Sequence, residues 1–206
     1  MYSTYSSLLP LIVPELRNCP EPLMLQALAR AGRELCTRTL VWQKELGPYS
    51  IVADQSDYTL VVGETVPDGD QQPVVRWIDW VKISGVEIST FQYDLVHVAS
   101  VPTLRFADAY VPGSAITDGL ELNVVLVPSP DSGYLSAFIL DTYSDTLAAG
   151  ALYHLLGMPD KPWTSTERSV FFYHEFAAGV VAATEESFIG RKTGSLSINL
   201  NARAWL

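Results

Sequence analysis

Residues 150–163, GALYHLLGMPDKPW, decide how this chain folds. A histidine framed by glycines and prolines belongs either to an active-site loop or to the corner between two helices. Gly157 sits where a C-cap glycine belongs, and Pro159 and Pro162 cannot continue a helix. Trp163 stands where a hydrophobic staple would, just before Thr164, and Glu167 follows three residues later to complete a capping box. The punctuation therefore predicts an αα-hairpin. Leu140, Tyr143, Leu147, Ala151 and His154 or Leu155 mark one helical stripe before the corner, and Tyr173, Ala177, Val180, Thr184 and Phe188 mark another after it, ended by Gly190. Gly150 and Gly179, one on each helix, would allow close backbone approach.

Toward the N-terminus, CPEPLMLQALARAGRELCTRTLVWQKEL places Met24, Leu28, Ala31, Leu35 and Trp42 near helical spacing, with arginines at 30, 33 and 38 between them. This predicts an amphipathic helix over about 20–45, roughly six turns. Pro20 and Pro22 suit its first turn and Gly47-Pro48 its end. From 49 to 130 the period changes. IVADQSDYTLVV, PVVRWIDWVKISGVEIS, FQYDLVHVAS, TLRFADAYV and ELNVVLVP are rich in β-branched and aromatic residues, and turn-forming stretches separate them. In a regular strand Trp77 and Trp80, three apart, would face opposite sides. The last stretch, RKTGSLSINLNARAWL, has three bases and no acid, and Leu196, Ile198 and Leu200 alternate with polar residues.

The expected class is α+β. A helical bundle is built from 1–48 and 131–192, an antiparallel β subdomain is inserted at 49–130, and 193–206 forms an extended arm.

Across 206 residues, 48% are hydrophobic, which is enough to bury a core. The formal net charge of −10 argues against a whole-surface nucleic-acid binder, and residues 46–130 hold most of it, with eleven acids and three bases. That segment is expected either to repel DNA passing nearby or to form a solvated outer rim. MYSTYSSLLPLIVPEL has no basic n-region, and Pro10 and Pro14 cut its apolar run, so neither a signal peptide nor a membrane anchor is expected. Cys19 and Cys36 would stand about 25 Å apart along the helix, too far for a disulfide, and are expected as free thiols in a reducing compartment.

Chemistry-bearing motifs are sparse. His174-Glu175 opens like a zinc-protease helix, but position 178 is alanine and the second ligand is missing. No serine occupies a Gly-x-Ser-x-Gly elbow, and no glycine-rich phosphate loop occurs. Asp54, Asp57, Asp68 and Asp70 cluster without the twelve-residue calcium-loop pattern and read as a solvated acidic rim.

PELRNCPEPLMLQALARAGRELCTRTLVWQ, LDTYSDTLAAGALYHLLGMPDKPW and ATEESFIGR together resemble the head-to-tail adaptor proteins of tailed bacteriophages, nearest the tail-tube or collar adaptors beneath the portal. The similarity spans most of 9–192. It implies a non-enzymatic virion protein of the head-tail junction, made in the host cytoplasm, without cofactor or metal. It also implies a homo-oligomeric ring of about twelve copies around a DNA channel, with the portal above and tail-tube, nozzle or collar proteins below. The arm would then add as a strand to the portal or a neighbouring subunit, with Arg191, Lys192, Leu196, Ile198, Leu200, Arg203 and Trp205 as the contact residues. Two other classes stay open: a β module that binds carbohydrate or a partner through Trp77 or Trp80, and a small enzyme whose residues converge only in space.

Overall fold

A computed structural model describes residues 2–63, 72–99 and 101–191, with backbone alone for 188–191. The mixed α+β class is observed, with five helices and antiparallel sheets among the described residues. The chain begins with a short strand β1 (Tyr2–Thr4), a 3-10 turn and a one-turn helix α1 (Leu9–Ile12). Helix α2 (Glu21–Thr39) follows, with Pro20 at its N-cap. Met24, Leu28, Ala31 and Leu35 are buried, as their spacing predicts. Each buried leucine contributes about 1.5–3 kcal/mol, more than propensity could give a 19-residue helix.

This helix stops earlier than expected. Thr37 and Thr39 turn their hydroxyls back onto the carbonyls of Arg33 and Leu35, both at 2.7 Å. Leu40 then takes a left-handed conformation (φ 56°) and its N–H closes on the Cys36 carbonyl. Gly47 and Pro48 lie inside strand β2 (Gln43–Ile51), at a register shift between Leu46 and Tyr49. A side chain at Gly47 would meet the Leu120 carbonyl at 2.6 Å, so this glycine serves close strand approach and not a helix end.

The remaining strands are β3 (Asp57–Thr59), β4 (Val74–Ile83), β5 (Val86–Glu87), β6 (Tyr93–Val98), β7 (Val101–Phe106), β8 (Ile116–Val127) and β9 (Tyr134–Ser136). They form a four-stranded sheet in the order β2-β8-β4-β5, a three-stranded sheet β3-β7-β6 and the pair β1-β9, all antiparallel. Strand β8 is central, and Leu120, Leu122, Val124 and Leu126 along it are fully buried. The second sheet is clipped by Arg105, whose Nε and Nη2 each donate at 2.7 Å to Asp57 directly opposite. That guanidinium holds the Asp57 carboxyl below its ordinary range. Tyr58 meets Phe106 edge-on at 5.7 Å, and its hydroxyl joins the backbone of Val52, the residue that follows β2.

Strand β4 departs from the two-residue alternation. Register shifts between Val75 and Trp77 and between Ile78 and Trp80 insert two bulges, so Val75, Ile78 and Val81 all reach the core at a spacing of three. The same bulges place Trp77 opposite Val125 and Trp80 opposite Asn123, two residues apart on β8. The two tryptophans therefore share a face, against the expectation from a regular strand, because an extra residue between them restores the side. Lys82 Nζ sits 4.0 Å above the Trp80 ring on that face.

Helices α3 (Ala137–Thr142), α4 (Ser144–Leu156) and α5 (Thr166–Arg191) complete the described chain. Tyr143 breaks α3 from α4, yet Leu140, Tyr143, Leu147, Ala151 and Leu155 are all buried. Helices α4 and α5 run antiparallel: Thr146 backs onto Gly179, Phe176 onto Gly150, and the Tyr153 and Tyr173 rings lie 5.2 Å apart. Both glycines stand at close helix approaches. At the corner Gly157 caps α4 with an ordinary φ of −80°, and Asp160 takes the positive φ instead. The capping box does not form. Thr164 Oγ1 donates to the Met158 carbonyl and accepts from the Lys161 N–H, and α5 starts at Thr166. Nor does Gly190 end α5, which continues to Arg191.

Helix α2 packs on both α4 and α5, and one contiguous core runs from these helices through both larger sheets.

Candidate partner interface

Of the predicted interface residues, Arg191 is the last residue of α5, and its side chain is outside the described part. Lys192, Leu196, Ile198, Leu200, Arg203 and Trp205 lie outside the described residues altogether, as do Asp68 and Asp70. The surfaces the structure builds lie elsewhere.

The first is the outer face of α5. Its inner stripe is Ser169, Phe176, Val180 and Ala183, all buried, whereas Tyr173, expected there, is exposed. On the opposite side Val170, Phe171, Ala178, Val181 and Ala182 are exposed, with Phe171 and Val181 both at 58%. At 100° per residue these five lie on one outward strip with His174, with Glu167 and Glu185 on its midline at the two ends and Glu175 along one side. A helix apolar on both sides belongs between two partners. Helices α2 and α4 supply one of them.

The second is a cleft of about 410 Å³ where β4 approaches β6, lined on one strand by Trp77 and Ile78 and on the other by Tyr93, Asp94 and Leu95. Trp77 is 59% exposed, while Tyr93 is 5% exposed and its hydroxyl has no hydrogen-bond partner. Burial, with the carboxylates of Glu87 and Asp79 nearby, raises the Tyr93 phenol above its ordinary range.

Third, Arg30, Arg33 and His154 line a cleft of about 340 Å³ between α2 and α4. The His154 side chain is 7% exposed, with Nε2 3.5 Å from Glu34. Its pKa is lowered, by burial first and by the Arg30 charge second, against an opposing pull from Glu34. Glu34 also pairs with Arg38 at 3.1 Å, and no serine, cysteine or lysine is among the residues that line the cleft.

A fourth surface, a cleft of about 540 Å³, lies between the N-terminal turn, α2 and the loop before β9. It gathers one carboxylate, Asp131, with the tyrosines Tyr5 and Tyr134 and no histidine, cysteine or lysine. His97 is exposed on β6 and His174 on α5, on separate elements from His154. Among the described residues no group of three or more His, Cys, Asp and Glu could hold a metal ion. In the acidic middle, Asp54, Glu87, Asp94, Asp108, Asp118 and Glu121 are all exposed.

The chain was compared with known proteins. No protein-family model matches it, and no curated protein does. Among the described residues no helix is long and apolar enough to cross a membrane.

The outer face of α5 had a readable signal, since positions 170, 171, 174, 178, 181 and 182 keep helical spacing opposite the core stripe. Assigning each helix a single apolar stripe concealed it. The β4–β6 cleft joins residues about 16 apart through two different sheets, and no local pattern marks it.

Proposed function

We propose that this chain is a structural virion protein, a head-to-tail adaptor that assembles as a ring of about twelve copies between portal and tail around the DNA channel. The observation that carries the reading is the second apolar face of α5, which runs from Val170 to Ala182. Exposed valines and phenylalanine on a stable helix mark a surface covered in the assembled state. Copies meeting through this face would make α2, α4 and α5 the bundle of the ring, with the β strands as an inserted lobe and the arm after residue 192 reaching the portal or a neighbouring subunit. The exposed carboxylates of 46–130 would keep passing DNA from adhering. No residue is assigned a catalytic role.

A second reading rests on Trp77, whose exposure beside Trp80 and Lys82 suits a β module that binds another virion or host-surface component. Native mass spectrometry of the purified chain, alone and with the portal, separates the two. The adaptor reading expects a closed ring in at least one condition. A monomer in both, at high concentration, would overturn it.

A further inference from the structure

Two strand edges face each other across the cleft at Trp77. Strand β4 is bonded to β8 along its length, but on its other side β5 covers only Lys82 and Ile83, and the Ile88 N–H reaches the Val81 carbonyl at 2.9 Å. From Val74 to Ile78 no strand lies on that side among the described residues. Strand β6 is the edge of the other sheet, paired with β7 alone. Natural proteins seldom leave long edges open without a covering element. Tyr93, almost wholly buried in the same cleft, has a hydroxyl without a partner, which a buried polar group seldom lacks.

We propose that this gap accepts one extended strand, residues 195–201 of a second copy of the chain, which joins the two sheets through β4 and β6. The segment SLSINLN presents Leu196, Ile198 and Leu200 on one side and serine and asparagine on the other, which suits apolar contact with Ile78 and Leu95 inward and solvent outward. Its backbone would supply the hydrogen bonds that both edges lack among the described residues and bring a polar group to Tyr93. Charge agrees once the surroundings are included: residues 191–206 carry three bases and no acid, the cleft is lined by Asp94, Arg76 and His97, and Glu87 and Asp79 stand close to Tyr93.

The direction of entry favours a second copy. Ser187 near the end of α5 bonds the Thr39 carbonyl, Trp42 bonds Leu126, and Leu126 pairs with Val75. By that path an arm from the same copy would start from the end of the sheet where β4 begins, and would run parallel to that strand. Every strand pair among the described residues is antiparallel, and parallel pairing is slightly weaker per residue. A segment from another copy is free to enter from the opposite end. The proposal rests on the ring reading only in requiring that copies meet.

Disulfide trapping tests it, in a Cys19→Ser background of the full chain. A size-tagged Asp94→Cys chain is mixed with an Asn199→Cys chain, and oxidation should give the mixed dimer at least tenfold above the pair Asp118→Cys with Asn199→Cys. Equal yields from the two pairs would overturn the acceptor site. When one chain carries both cysteines, an internally closed monomer would overturn the second-copy assignment. Hydrogen exchange gives an independent readout. The amides of β6 should exchange at least tenfold faster in full-length I198D than in the parent at the same concentration, and unchanged rates would count against the proposal. Rings that form without the 94–199 cross-link would leave the adaptor reading standing and remove this site alone.

Discussion

Gly150 backs directly onto Phe176. A β-carbon at position 150 would stand 2.8 Å from the ring and 2.9 Å from the Ala31 methyl, so α2, α4 and α5 meet at this one backbone position. Alanine would gain about 1 kcal/mol of helix propensity but would force three packed elements apart, at a typical cost of about 1–3 kcal/mol. G150A is therefore expected to lower the urea midpoint, while G133A, where a β-carbon meets nothing within 4 Å, leaves it unchanged. An unchanged midpoint in G150A would show that the three helices are less closely packed than described.

The two thiols should differ in reactivity. Cys36 is fully buried on α2 and burial pushes its thiol up to about 12, whereas Cys19 is partly exposed and raised by a smaller desolvation. Alkylation of the native protein at pH 8 is expected to modify Cys19 first and to reach Cys36 only on unfolding. Equal rates, read by mass spectrometry of the digested chain, would contradict the packing of α2.

Acid should weaken the fold partly through His154. Its folded pKa lies below the unfolded value of about 6.5, so in that window the unfolded chain binds the extra proton. Its contribution to stability is full above pH 6.5 and is lost as pH falls toward the folded value. H154Q should flatten this limb of stability against pH, measured by urea unfolding between pH 5 and 8. A limb as steep as that of the parent would assign the loss to other groups.

Charge on the outer face of α5 should separate folding from assembly. F171E and V181E replace residues that are already exposed, so each should leave subunit stability within about 0.5 kcal/mol. Both should abolish ring formation, measured by sedimentation velocity with and without the portal. Rings of normal mass from the double variant would remove the face from the proposed interface.

Removal of residues 193–206 is expected to leave the subunit folded, because the described core is complete without them, and to abolish attachment to the portal. Circular dichroism and co-sedimentation check the two halves, and normal particle assembly with the truncated chain would defeat the assignment of the arm.

The hairpin was legible because its signals are local: proline stops a helix wherever it stands, and Gly150 and Gly179 announce close approach whatever packs there. The buried stripe of α2 was legible for the same reason. The end of α2 was not, because Leu40 carries no left-handed preference and Gly47-Pro48 offered a stronger but irrelevant stop signal. Strand alternation puts Trp77 and Trp80 on opposite sides, because it cannot reveal bulges that are set by pairing with β8. The candidate surfaces were least legible. Helix α5 carries apolar side chains on an outer strip as well as on its inner stripe, so a reading with one stripe per helix misses the second, and the predicted arm residues fall outside the described residues.

The end of α5 also determines how the molecule would carry force. Ser187 is bonded to the Thr39 carbonyl at 2.9 Å, and the Tyr143 hydroxyl donates to Glu186 at 3.0 Å. A pull on the chain beyond Arg191 along the helix axis would load the α4–α5 contact in shear, where the knob of Thr146 against Gly179 and the ring of Phe176 against Gly150 must slide together. Through Thr39 the same tension reaches β2 and the central sheet. A pull across the axis would instead peel the helix away one turn at a time, starting with those two hydrogen bonds. The fold should resist lengthwise traction far better than sideways traction, a difference that an optical trap attached at residue 191 would measure as two rupture forces.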